Sequence, residues 1–266
     1  MMTVFLVIFS TGVHLNIPTG SSITLALASE GKKATLLGKV GAAGILGTVV
    51  GAAFVAFVMK PLGIRFTGVY LVAALCAVAA AALVLSTGRV ERHTQTRRKV
   101  FVFKRRYTRY YVLSALYGAR KQVFMTFGPW VLVKVFGQSE QMMAKLSIAY
   151  CALGLLVQPA VGRLIDRLGE RTMLVAEGLV LTCVCVTYAI AGKWPASRAA
   201  LTAIMAVYVV DQLCFSVSMA RTTYLAKIVE VPEDLSGGLA SGVSIDHLAS
   251  MSLPLLGGLV WELYGF

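Results

Sequence analysis

GRLIDRLGER, residues 162–171, sets two glycines and five charged side chains between two apolar runs, each about long enough to cross a bilayer. Such a polar joint reads as a short hairpin loop at a membrane surface: the flanking helices stay in hydrocarbon while the joint meets water. The rest of the chain agrees with that reading. Of 266 residues, 58% are hydrophobic and only 14% charged, and the mean hydropathy is +0.77. A water-soluble fold of this composition lacks the polar surface to cover itself, so the solvent for most of it is lipid. Repeated runs near twenty residues, without the strict alternation of a transmembrane barrel, predict helices.

Eight spans are expected, over 3–27, 40–59, 66–87, 108–135, 142–162, 172–191, 199–224 and 238–260. The fold class is therefore an all-α polytopic transmembrane helix bundle. Sixteen Lys and Arg residues fall in alternate connections, nine of them between Arg89 and Arg109, against six in the opposite connections. The positive-inside rule then places the richer side in the cytoplasm. The formal net charge of +13 is explained by this loop bias, and nucleic acid is not an expected partner. The long polar stretch divides the chain into a bundle over 1–88, a basic cytoplasmic linker over 89–107 and a bundle over 108–266. Cys76, Cys151, Cys183, Cys185 and Cys214 all fall in apolar spans, as small packing residues rather than a disulfide framework or metal site. No cofactor is expected.

The pattern G-x-L-x-D-R-x-G-x-R, carried here by Gly162, Leu164, Asp166, Arg167, Gly169 and Arg171, resembles the signature loop of the major facilitator superfamily. Glu170 departs from it, since that family usually has a basic residue there. The resemblance implies a transporter in which the loop links the second and third helix of a six-helix half. Span 108–135 then becomes the seventh of twelve helices and the first span the fourth, with helices 4 to 11 present, so the chain reads as a fragment. That register makes the first span enter from outside, and the count of basic residues independently requires the same. The resemblance also implies that Gly162, Asp166, Arg167, Gly169 and Arg171 form a conformational latch. Asp166 would sit against the positive end of a neighbouring helix, in the family the start of the eleventh, here near Ser236 and Gly237.

Arg120 and Lys121 lie in the middle of span 108–135, where each charge costs roughly 2.5–3.5 kcal/mol on insertion scales. Fourteen residues separate Arg120 from Arg106, about 21 Å of helix, which is too far to snorkel. They must face a cavity or an acidic partner; a purely structural ion pair is the other reading. Asp211, followed by Gln212, lies at similar depth on span 199–224 and is the expected counter-ion, whose protonation would break the pair. His14 faces the cavity if its span is the fourth helix. Asp246 and His247, about 100° apart on one helix, are not expected to share a site. Arg221 is expected to anchor at headgroups. Pro129, Pro159 and Pro254 mark expected bends.

These residues point to a secondary transporter that moves a small organic solute, with an anion favoured by the deep basic residues and protons available as coupling ion. Its expected location is the bacterial inner (plasma) membrane. A membrane-embedded lipid-modifying enzyme and a transport-inactive fragment are the alternatives. The sequence holds no HExxH, clustered histidines or Ser/His/Asp grouping that would carry the enzyme reading.

Overall fold

A computed structural model describes residues 2–54, 66–86, 101–191, 193 and 197–264. Among these the chain is helical, with no strand. In order come α1 (Met2–Leu27), α2 (Lys33–Phe54), α3 (Phe66–Ser86), α4 (Thr108–Trp130), α5 (Glu140–Leu168), α6 (Glu170–Ala191), α7 (Arg198–Cys214), α8 (Ser218–Ile228) and α9 (Glu233–Tyr264). The eight expected spans follow this order, with α7 and α8 forming one span through a tighter 3-10 turn at Phe215–Val217. Among the described residues, five spans are long and apolar enough to cross a membrane: Lys33–Gly51, Met142–Leu168, Glu170–Ala191, Arg198–Ile228 and Glu233–Tyr264. The expected linker up to residue 100 and the end of span 40–59 lie outside the described residues.

The chain forms two compact units, Met1–Ala42 with Arg98–Phe266, and Ala43–Arg97. In the smaller unit, the uncharged α3 exposes Tyr70, Leu75, Val78 and Leu85, as a helix facing lipid does. The larger unit carries the polar chemistry. Its longest helix interface among the described residues joins α4 to α9, and small residues permit the close approach. Gly118 lies on the backbone of Asp246, and Gly242 lies on the Tyr110 ring. The Ser250 hydroxyl donates to the Gly118 carbonyl at 3.0 Å. Further along, Phe127 stacks on Trp261 with centroids 5.9 Å apart.

Local chemistry sets the helix ends. Ser139 and Ser197 accept from the backbone N–H groups of Met142 and Ala200, capping α5 and α7. Pro129 lies inside α4, and the next turn, Val131–Val135, is π-helical. Phe136 N–H reaches back to the Val131 carbonyl at 3.1 Å, closing that wider turn.

Gly118→Ala is expected to destabilise the protein by about 1–3 kcal/mol, because the added methyl meets α9 backbone that cannot turn aside. Gly178→Ala on α6, where nothing lies within 4 Å of the added carbon, should instead be neutral or stabilising by up to about 1 kcal/mol. Thermal unfolding in detergent checks this: the melting temperature should fall in Gly118→Ala and stay or rise in Gly178→Ala.

Candidate functional site

The 162–171 stretch is not a ten-residue loop. Helix α5 runs through it to Leu168, and the link to α6 is Gly169 alone, at φ +84°. Arg163 and Arg167 continue the helix as exposed side chains, while Ile165 between them is buried. Glycine at 169 takes the left-handed backbone that a one-residue reversal requires. Glu170, the position that departs from the signature, pairs with Lys227 of α8 at 2.8 Å.

Asp166 does not meet Ser236 or Gly237. Its two carboxylate oxygens accept from the backbone N–H groups of Ala34 at 3.0 Å and Thr35 at 2.8 Å. These are among the unsatisfied donors at the start of α2, where the helix dipole also favours a negative charge. This distant cap explains why α2 begins at Lys33 rather than near 40. Gly162 lies directly on the Ala34 backbone, and Gly38 on the backbone at Gln158, so α2 and α5 approach through glycine on both sides. Arg167 and Arg171 are exposed.

The deep charges of α4 are divided between two partners. Arg120 donates through Nη2 to Asp211 Oδ1 at 2.6 Å and to the Asp211 carbonyl at 2.8 Å. Gln212 donates to the other Asp211 oxygen at 3.4 Å. The guanidinium lies over the Phe215 ring, 4.1 Å from its centre, and its Nη1 is 3.8 Å from Glu177 of α6. Lys121 instead donates to Asp246 of α9 at 2.7 Å. Asp211 is therefore the counter-ion of Arg120 and not of Lys121.

Lys121, Asp246 and His247 line a cavity of about 330 Å³ together with Tyr117, Ser218 and Arg221. Asp246 and His247 thus share one site after all: the cavity is wide enough to touch two sides of α9, and the long Lys121 chain reaches the carboxylate. His14 of α1 lies against His247, with ring centroids 4.5 Å apart. Arg221 is not a headgroup anchor. Its guanidinium lies over the Tyr117 ring, 3.4 Å from the centre, and its Nε is buried without a hydrogen-bond partner among the described residues.

On the side of this unit that carries Asp166, the end of the linker is tied down. Ser241 and Val102 exchange hydrogen bonds of 3.0 Å, Lys104 pairs with Asp234, and Arg106 pairs with Glu230. The hydrogen bond from Lys104 to Asp234 holds the ammonium above its ordinary range.

The Major Facilitator Superfamily model matches residues 1–244. The chain belongs to the major facilitator superfamily. It is accordingly an integral membrane protein and a secondary transporter; members of the superfamily move small solutes across the bilayer and are not enzymes. No curated protein matches the chain.

Sequence reasoning overlooked Glu177 as the second carboxylate near Arg120, and it gave Lys121 no partner of its own. Glu177 was visible as an acidic residue in span 172–191, seven residues or about 10 Å past Glu170 along the helix. Its depth was the signal that marked Arg120 and Asp211.

Proposed function

We propose that this transporter carries a small organic anion whose negative group is received by Arg221. The observation that carries the reading is the guanidinium stacked on Tyr117 at the cavity wall, with no carboxylate within ion-pairing distance among the described residues. Arg120 and Lys121 are already paired, so neither offers a free charge. In this reading Arg120, Asp211 and Gln212 hold α4 to α7, while Lys121 with Asp246, beside His14 and His247, forms a polar wall that rearranges as solute binds. Asp166, Gly162 and Gly169, with Arg167 and Arg171 beside them in water, latch α5 to α2 in one of the alternating states. The end bearing Asp166 and Lys104 faces the cytoplasm in this reading, an orientation that the positive-inside count supports, and the membrane is a bacterial inner membrane.

The test is uptake of a panel of radiolabelled organic anions, with neutral and cationic analogues, into proteoliposomes. Arg221→Met is expected to raise the apparent KM for the anion about 10- to 100-fold, the worth of one charge-assisted contact. Arg221→Lys should retain part of the affinity. Unchanged anion uptake in Arg221→Met, or preference for a cation, would falsify the reading.

A further inference from the structure

The last residues of the linker form a strap whose two sides differ. Residues 101–104 precede any helix, and Lys104 has extended backbone, φ −117° and ψ 138°. Alternate side chains of an extended segment point to opposite sides. Val102 and Lys104 turn toward α9: Val102 is buried and exchanges hydrogen bonds with Ser241, and Lys104 pairs with Asp234. The Tyr111 hydroxyl fixes the strap from α4, donating to the Val102 carbonyl at 2.6 Å and accepting from the Lys104 N–H at 3.3 Å. With those two residues held inward, Phe101 and Phe103 stay outward, 52% and 67% exposed.

The cations that follow divide in the same way. Arg106 pairs with Glu230, and the buried Tyr107 donates to Asp234 at 3.2 Å. Arg105 and Arg109 are exposed, and no carboxylate among the described residues lies within ion-pairing distance of either. Four positions apart, they share one face of the entry into α4. That face continues down α4 as Val112 and Leu116, 52% and 62% exposed. An exposed apolar stripe on a membrane helix meets lipid tails. Arg109 precedes Val112 by three residues, about 4.5 Å of helix, so the two guanidinium groups stand where tails give way to headgroups.

We infer that Phe101, Phe103, Arg105 and Arg109 form a docking site for an anionic phospholipid, whose phosphate the two arginines receive. Forked guanidinium donors match phosphate oxygens, and each arginine near the surface adds attraction to an anionic leaflet. The outward rings belong at the boundary between headgroup and tail, the level aromatic side chains favour. A zwitterionic lipid offers the same phosphate but offsets its charge with its own cation. Free phosphate lacks the tails that the rings would cover. The site lies apart from the Arg221 cavity and does not depend on which solute is carried.

The test titrates phosphatidylglycerol into the detergent-solubilised protein and follows bound lipid by native mass spectrometry, with phosphatidylcholine and inorganic phosphate as the other arms. Phosphatidylglycerol is expected to bind more tightly than phosphatidylcholine and to resist displacement by inorganic phosphate. Arg105→Gln with Arg109→Gln should raise its Kd roughly 10- to 30-fold, the combined effect of two surface cations. Lys32→Gln with Lys39→Gln removes the same charge from two other exposed positions and should leave that Kd in place. Equal losses in the two double variants, no loss in the first, or displacement by inorganic phosphate overturns the inference. A second readout leaves both arginines intact. A spin label at Phe103→Cys, in a cysteine-free background and phosphatidylglycerol bilayers, should be reached by oxygen rather than by a water-soluble nickel chelate. A label reached mainly by the chelate places the rings in water, and one reached by neither places them under protein; each overturns the inference.

Discussion

Asp211→Ala loses about 3–5 kcal/mol of stability, because Arg120 then keeps its charge in a site only 10% exposed after losing its best acceptor. The effect is large because Asp211 is 1% exposed and its carboxylate is the charged acceptor of Nη2; the backbone carbonyl, which accepts from the same nitrogen, survives the substitution. Glu177, 3.8 Å from the guanidinium, softens the loss only if the side chains can close that gap. Removing both charges together, as Arg120→Met with Asp211→Leu, is expected to recover part of the stability, since the buried guanidinium no longer lacks its acceptor, while Glu177 is left without its cation. Thermal unfolding of Arg120→Met, Asp211→Leu and the double variant forms a cycle that isolates the pair. Equal melting temperatures for Asp211→Ala and the wild type, or no recovery in the double variant, would show that the pair does not hold α4 to α7.

Asp166→Ala should shift the conformational equilibrium of the transporter by about 2 kcal/mol, roughly 30-fold, away from the latched state. The substitution strips the start of α2 of a charged acceptor that serves two backbone N–H groups. Asp166→Asn keeps one acceptor oxygen without the charge and should fall between. Spin labels on the exposed positions Lys39 and Arg163 in a cysteine-free background report the spacing of α2 and α5 by pulsed electron resonance. The long-distance population is expected to grow from wild type through Asn to Ala. Identical distance distributions in all three would remove Asp166 as a latch.

The signature stretch was legible in sequence because its message is local: charge and glycine bracketed by apolar runs state where the chain leaves lipid, and the order of residues states which family does so. What the stretch grips was not legible. Asp166 reaches Ala34 across 132 positions, and no periodicity encodes such a contact. The same distance hid the partners of α4. Depth along the helix showed that Arg120 and Lys121 needed acidic neighbours, but adjacent residues on a helix diverge by about 100°, so one counter-ion could not serve both. Asp246 was assigned to neither because it sits on α9, whose facing toward α4 depends on Gly118 and Gly242. Arg221 was misread for a related reason: its height along the axis suggested headgroups, while its long chain folds onto Tyr117 instead.

A one-residue joint leaves α5 and α6 almost no freedom to turn independently. Because Gly169 alone joins the helix that carries Asp166 to the helix that carries Glu177, the pair behaves as a stiff lever. In the proposed cycle, releasing the grip on α2 is expected to tilt α6 together with α5. Lengthening the joint with inserted glycines should slacken this transmission while leaving each end intact.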